Sequence, residues 1–456
     1  MNRNSLLLVS GDFLGAWMAY GLAAFIQVGI PFSLGKMPFD AWTNLIIFVL
    51  VLLLTTYFLE LYNLEKAFHL WEIVFRLAVS LLLAFLTLSA LYYLFPQVTT
   101  GRRLLILALA AFGFLQLLWH KTYQAVLQMP GFAKRVLIFG AGPMAVEIRE
   151  VLTEKAPDAV FVGYVKPEGD AVTVPEGEIV EAFGSLVATA KKERVKKIIV
   201  ALTERRKMLP VRDLLRCKFA GIDVVENTTF YEEITGKLML ERTNPSWFLF
   251  SNSFKVTPFT LFTRFNKRIF DVTFALVGLV FALPFMPFIA LAVKLSSPGP
   301  VFFCQVRLGK DEKPFLLCKF RTMREDAEKL TGAVYAQQND PRVTAVGRFL
   351  RKSRLDELPQ LFNVLVGDMS FVGPRPERPE FVEKLNQKFS FYSKRHSVKP
   401  GITGWAQVRY PYGASDEDSN EKLKYDLYYI KNYSLKLDFY IVLETIKVVL
   451  FGRGGR

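Results

Sequence analysis

Lys267-Arg268-Ile269-Phe270-Asp271 opens an apolar run that continues to Leu295 and is interrupted by Leu283-Pro284-Phe285-Met286-Pro287. At ~1.5 Å per residue a straight helix over 270–295 is long enough to cross the ~30 Å core of a bilayer. Pro284 removes a backbone donor and clashes with the preceding turn, which predicts a kink near the middle. Basic residues stand at both ends, Lys267 and Arg268 before the run and Lys294 near its close. That placement fits a helix that enters and leaves on one face, and it fits a kinked span equally well. Hydropathy alone leaves both open.

Toward the N-terminus, four further apolar segments fill the first 130 residues, at about 6–30, 42–61, 73–94 and 104–126. Each approaches the ~20 residues of a transmembrane helix. The first does not read as a cleaved signal, because three more follow and no Ala-x-Ala-like site closes it. Arg3, Lys66, Arg76, Lys121, Lys134 and Arg135 fall on one side, and Lys36, Arg102 and Arg103 on the other. The positive-inside bias then puts both ends of the bundle in the cytoplasm. Asp12 lies inside the first segment. An intramembrane acid is a functional candidate by default, but one so near the helix start is expected to cap the helix or reach the interface.

Composition agrees with a membrane protein. Of 456 residues, 52% are apolar and 41 are Phe, and the mean hydropathy is +0.26, which argues against an ordinary cytosolic enzyme. Lys and Arg exceed Asp and Glu by 57 − 42 = 15, so phosphates or anionic lipid are the expected partners. Nucleic acid is not expected, since no zinc spacing, RNP-like run or basic repeat accompanies the charge. Three scattered cysteines (Cys217, Cys304, Cys318) do not make a disulfide framework or a four-ligand zinc site. His69, His120 and His396 are too isolated to suggest a histidine metal centre.

Past Arg135 the texture changes. Val136-Leu137-Ile138-Phe139 reads as a buried strand, followed by Gly140-Ala141-Gly142-Pro143-Met144-Ala145 and a helical stretch. The runs 160–165, 197–202 and 222–225 are spaced like further strands of an α/β sheet. Gly140-x-Gly142-x-x-Ala145 resembles the Rossmann turn in which glycines admit a pyrophosphate. However, Val165 is followed by Lys166 and Pro167, with no acid for a ribose, so a degenerate domain serving regulation or dimerisation is the favoured reading. After the aromatic Trp247-Phe248-Leu249-Phe250, a third region starts near 254. The expected domains are four transmembrane helices at 1–130, a Rossmann-like domain at 134–250 and a catalytic domain at 260–456.

The last third is dense in chemistry. Lys319-Phe320-Arg321, Arg351-Lys352-Ser353-Arg354-Leu355-Asp356-Glu357-Leu358-Pro359, Gly373-Pro374-Arg375-Pro376 and Pro400-Gly401-Ile402-Thr403-Gly404-Trp405 follow in order. Neighbouring acids on a helix point ~100° apart, so Asp356 and Glu357 suit divided labour, nucleophile and metal ligand, better than a facing acid/base pair. Pro359 favours a first helical turn, which predicts both acids at a helix N-terminus where partial positive charge keeps a carboxylate ionised.

Those motifs, with Lys267-Arg268-x-x-Asp271 and the proline-broken helix at 268–295, resemble the bacterial sugar transferases, the monotopic phosphoglycosyl transferases that act on polyprenyl phosphate. The four leading segments and the Rossmann-like insert resemble the long form of that family. Leu283 stands before Pro284 where some members carry Ser. The resemblance implies an α/β catalytic domain whose re-entrant membrane helix is marked by Lys267, Arg268, Asp271 and Pro284. It implies that Asp356 attacks the β-phosphorus of a UDP-hexose, expels UMP and passes the sugar phosphate to undecaprenyl phosphate. Glu357 would hold Mg²⁺, and Arg351 and Arg375 would clamp phosphate. Pro374 would line the site, and Lys319 and Arg321 would bind nucleotide phosphates or support it. The product would start an exopolysaccharide, capsule or O-antigen repeat unit. The protein would lie in a bacterial inner membrane with its catalytic domain in the cytoplasm, and the middle domain makes a homodimer an expectation. The segment 435–451 could lie in the bilayer interface or pack on the core.

Two other classes compete. A nicotinamide-dependent sugar-nucleotide oxidoreductase would need a Tyr-x-x-x-Lys after the glycine turn, and neither Tyr425 nor Tyr428 has a lysine at that spacing. A non-catalytic assembly scaffold would not need Asp356, Glu357 and Arg375 together.

Overall fold

The computed structural model describes residues 3–28, 39–59, 61–62, 70–95, 101–128, 134–156, 159–167, 172–180, 185–202, 209–240, 261–325, 327, 340–410, 413 and 415–450. Lys36, Lys66 and the aromatic stretch 247–250 lie outside them. The chain divides into two compact units, Met1–Phe230 and Tyr231–Arg456. Residues 231–240, which the sequence groups with the middle domain, fall in the second unit.

The first unit opens with helices α1 (Arg3–Val28), α2 (Phe39–Phe58), α3 (Leu70–Leu94) and α4 (Arg102–Gln128). Among the described residues of this unit, three stretches are long and apolar enough to cross a membrane, Leu6–Gln27, Trp71–Leu94 and Arg102–Tyr123, while Trp42–Phe58 is a shorter apolar helix. Small residues Ala16, Ala19 and Ala23 on α1 and Ala108 on α4 let the helices approach, with Phe48, Leu52, Leu88 and Phe112 filling the core. Close van der Waals packing through small side chains is what holds helices together where lipid removes the hydrophobic drive.

The expectation that Asp12 caps α1 or reaches the interface is not met. Asp12 is 1% exposed, and its Oδ2 accepts Gln116 Nε2 at 2.5 Å and lies 3.1 Å from His120 Nε2. Gln116 and His120 are four residues apart on α4 and so share a face. Gln116 Nε2 also donates to Thr56 Oγ1 on α2. A buried acid of this kind fastens three helices.

A parallel sheet follows, in the order β2-β1-β3-β4, from β1 (Lys134–Phe139), β2 (Ala159–Val165), β3 (Lys197–Val200) and β4 (Asp223–Glu226). Helices α5 (Pro143–Lys155), α6 (Leu186–Lys192) and α7 (Val211–Phe219) lie between the strands in sequence, and α8 (Asn227–Thr235) follows β4. Leu137, Ile138, Ile198 and Ile199 are fully buried, as expected of continuous apolar strands covered on both faces.

The second unit is built on α9 (Leu261–Ala282) and α10 (Met286–Ser296), which meet at 65°. The bend falls where Pro284 has no N–H to offer and Pro287 sits in the first turn of α10. One face of the pair is anchored: Ala275, Leu279 and Ala282 pack on Leu361, Val364 and Met369, and Ile289 and Val293 on Phe320 and Leu350. The other face leaves Val280, Phe281, Phe285, Phe288 and Leu295 between 62% and 77% exposed, a run of exposed large apolar side chains of the kind that marks a membrane or partner contact.

The remaining elements are the antiparallel hairpin β5 (Phe302–Leu308) and β6 (Pro314–Phe320), α11 (Ala345–Ser353), α12 (Gln360–Val366), β7 (Ser370–Val372), α13 (Pro379–Lys388), β8 (Gly401–Thr403), α14 (Trp405–Arg409), α15 (Asp416–Lys431) and α16 (Leu435–Leu450). Strands β7 and β8 pair in parallel. In the hairpin, Cys304 stands directly opposite Cys318 and the two form a disulfide, a bridge that sequence spacing did not reveal. Helix α16 packs Ile441 and Val442 on Val372, Trp405 and Tyr429, while Phe439, Ile446 and Val449 stay exposed.

Candidate active site

Helix α11 starts on Thr344, whose hydroxyl accepts Gly347 N at 2.9 Å, and stops where Arg354 turns left-handed at φ 60°. A single 3₁₀ turn, Leu355–Glu357, follows, and α12 begins only after Pro359. The two acids therefore precede the helix instead of occupying its first turn. Arg354 breaks the chain, and the amides of Glu357 and Leu358 are spent on Arg354 O and Leu355 O. With about three residues per turn, adjacent side chains diverge by about 120°, and Asp356 and Glu357 meet different surroundings.

Glu357 faces arginine. Arg375 Nη2 donates to its Oε1 at 2.8 Å and Arg354 Nη1 to the same oxygen at 3.3 Å. Burial pushes this carboxyl up, but the charges of Arg375 and Arg354, the Arg375 hydrogen bond and Lys319 together outweigh burial and hold it down at about 2. Asp356 is also buried, and its Oδ1 has no hydrogen-bond partner among the described residues. Burial first, then the Glu357 charge, pushes it up to about 6, against the pull of Lys319, Arg375 and Arg351. Two adjacent carboxyls thus sit at opposite ends of their range, a pattern that marks divided chemical roles.

Lys319 comes from β6. Burial lowers it to about 8 despite the Asp356 charge. Arg351 stands on α11 with Nε donating to Thr322 Oγ1 at 2.9 Å. Arg321, one strand position beyond Phe320, is committed elsewhere: its guanidinium binds the carbonyls of Ser297 and Pro298 in the turn after α10. It braces that turn and does not reach the acids. Pro374 contributes its carbonyl to Gly401 N at 2.9 Å, which ties the Arg375 loop to β8.

The Lys267–Asp271 motif faces protein. Lys267 Nζ binds Asp271 Oδ1 at 3.0 Å and Asp438 Oδ2 at 2.9 Å. Arg268 donates to Val364 O and Leu365 O, both at 2.6 Å, which caps the C-terminus of α12. Asp271 Oδ1 accepts Ser370 Oγ at 2.9 Å and Phe371 N at 3.0 Å. The base of α9 is thereby riveted to the strand that leads into the Arg375 loop. Arg354, as a partner of Glu357, was not singled out from sequence; its three-residue spacing from Glu357 was the available signal.

The glycine turn of the first unit is of another kind. Gly140 has φ +136°, and a Cβ there would meet Ala201 O at 2.3 Å, so glycine serves the close approach of β1 and β3. Ala141 O accepts both Thr173 N and Thr173 Oγ1.

Among the described residues no group of three His, Cys, Asp or Glu could hold a metal. The acids at 356 and 357 are hard oxygen donors of the sort that hold Mg²⁺ together with substrate phosphates, without a full protein cage. The unpartnered Asp356 Oδ1 leaves donor capacity in that corner, so the residues fit such an ion.

Residues 262–452 match the family model described as bacterial sugar transferase. The exopolysaccharide production protein PSS of Rhizobium leguminosarum bv. phaseoli is 42% identical over 188 residues, 40% of this chain and 92% of that protein. The chain belongs to the bacterial sugar transferase family. A UDP-N-acetylgalactosamine-undecaprenyl-phosphate N-acetylgalactosaminephosphotransferase of Aeromonas hydrophila is 44% identical over 246 residues, 54% of this chain and 56% of that protein. An undecaprenyl-phosphate glucose phosphotransferase of Komagataeibacter xylinus is 34% identical over 335 residues, 71% of this chain and 60% of the relative. The chain thus spans a little over half the length of these last two.

Proposed function

We propose that this family member transfers a hexose 1-phosphate from a UDP-hexose to undecaprenyl phosphate through a phosphosugar carried on Asp356. A carboxylate oxygen of Asp356 attacks the β-phosphorus, the bond to the α-phosphate oxygen breaks, and UMP leaves with that electron pair. A phosphate oxygen of undecaprenyl phosphate then attacks the same phosphorus and returns the carboxylate. One diphosphate linkage replaces another, so no further energy source is required. The observation that carries this reading is the pair of neighbouring acids: one carboxyl unpartnered at Oδ1 and pushed up to about 6, the other held ionised by two arginines. A carboxylate that is buried and under-bonded is a better nucleophile than a solvated one.

Glu357 with the substrate phosphates would hold Mg²⁺, which would neutralise charge on the diphosphate. Arg375 and Arg351 would bind phosphoryl oxygens as charge shifts to the leaving UMP, Lys319 would keep Asp356 ionised, and Pro374 would shape the site's wall. Arg321 is assigned to support.

The bent pair α9–α10 is read as a re-entrant element: its two exposed apolar flanks and the Lys294 end favour return to the face of entry, which lets a soluble donor meet a lipid acceptor. Together with a four-helix N-terminal bundle in the inner membrane and a cytoplasmic catalytic unit, this gives the long form of the family. The parallel sheet with its glycine turn is read as Rossmann-like, serving regulation or a homodimer. The relatives named for particular sugars differ among themselves, so the hexose is left to experiment.

The test is UMP release by the full chain in a bilayer with Mg²⁺, undecaprenyl phosphate and a panel of UDP-hexoses, beside Asp356→Asn. Sugar-selective release that the substitution abolishes is expected. Absence of UMP from every donor with folded protein overturns the reading and leaves an assembly scaffold.

A further inference from the structure

The loop that carries Arg375 is held by its backbone carbonyls, four in succession. Pro374 O accepts Gly401 N at 2.9 Å, Arg375 O accepts Arg395 Nη2 at 3.0 Å, Pro376 O accepts Arg307 Nη1 at 3.3 Å, and Glu377 O accepts Leu308 N at 3.0 Å. Of the two guanidinium donors, Arg395 is the more buried. Its Nε and Nη2 bind Asp426 Oδ2 at 3.1 and 2.8 Å, and its Nη1 binds Tyr392 Oη at 2.7 Å. Arg395 is 5% and Asp426 2% exposed.

We propose that the buried pair Arg395–Asp426, by fixing the Arg375 backbone, aims the Arg375 guanidinium at Glu357 and at the phosphoryl oxygens of the substrate. The inference rests on the reading of Asp356 given above. Packing alone would not call for such a pair, because apolar residues of similar volume often stabilise a core as well or better. The planar fork of an arginine serves an acid, a phenol and a carbonyl in fixed directions, which the compact, rotating ammonium of a lysine does not reproduce. The bond that matters is the one to Arg375 O. The Arg375 side chain is 37% exposed, so its aim at Glu357 depends on where its backbone is fixed. Displacements of an ångström at a catalytic group cost ~10²-fold in rate.

The experiment exchanges the pair for an apolar one, Arg395→Met with Asp426→Leu, so that no charge is left buried alone. Arg395→Lys serves as a second variant should the double exchange not fold. Variants in nanodiscs are compared with wild type for kcat and for KM of the UDP-hexose. A folded variant should lose ~10²-fold in kcat with little change in KM, and combining the exchange with Arg375→Met should cost no more than Arg375→Met alone. An unchanged kcat, a loss carried by KM, or losses that add, overturns the proposal. Wild-type UMP release reports on the underlying reaction separately. A readout independent of turnover is phenylglyoxal labelling of the Arg375 peptide, which should quicken in the variants as the guanidinium loses its aim at Glu357; an unchanged labelling rate refutes the positioning role even if no donor is turned over.

Discussion

The turn at 140–143 ends a buried strand and starts a helix; the turn at 354–359 ends one helix and leads into another. Both carry the sequence marks of a phosphate site. In the first, glycine is used for close approach to Ala201, and the Ala141 carbonyl is taken by Thr173. In the second, Arg354, Arg375, Arg351 and Lys319 surround two acids, and one carboxylate oxygen has no hydrogen-bond partner among the described residues. Glycine spacing reports how closely backbones approach. Opposite charges gathered out of water, and incompletely paired, report chemistry.

The strongest way to sharpen that contrast is Asp356→Asn, which should cut UMP release by ~10³-fold or more. The same change should raise thermal stability at pH 7. A carboxyl raised from 3.8 to about 6 favours the fold only while protonated, so its contribution is present below its unfolded pKa and lost as pH rises through about 6. An amide removes the cost at neutral pH, and the apparent Tm should climb by ~2–4 °C. A fall in Tm would show that Asp356 has structural partners after all. Next in size, Arg375→Met should lower kcat by ~10²-fold. Because the Arg375 charge holds Asp356 down, the acid limb, near pH 6 in wild type, should move to higher pH. Lys319→Met should move the limb the same way with a smaller loss of rate; a shift to lower pH would reverse its assigned role. The smallest effect on turnover belongs to the other turn. Gly140→Ala should destabilise the first unit by about 1–3 kcal/mol and leave UMP release per folded molecule unchanged. Thermal stabilisation of the wild-type chain by NADH would break the comparison outright.

What could be read from the sequence followed chain-local causes. Pro284 announced the bend, unbroken apolar runs announced the parallel strands, and the density of cations around Asp356-Glu357 pointed to the candidate site. What could not be read depended on register or on partners far along the chain. Asp12 finds Gln116 and His120 across 104 and 108 residues. Cys304 meets Cys318 only because the hairpin pairs them. Lys319 and Arg321, two residues apart, would share a face on a continuing strand, but β6 ends at Phe320, and the fold sends Arg321 to the turn after α10 and Lys319 toward Asp356. Nor did spacing announce that Arg354 would turn left-handed, since arginine is not a residue that favours it.

That left-handed backbone sets two kinds of selection against each other at one position. Glycine or asparagine adopts φ 60° with less strain, so a screen for heat resistance should drift toward them at 354. A screen for turnover should retain arginine, because neither replacement brings a charge to Glu357. Position 354 is therefore where libraries selected for durability and for rate should part company first.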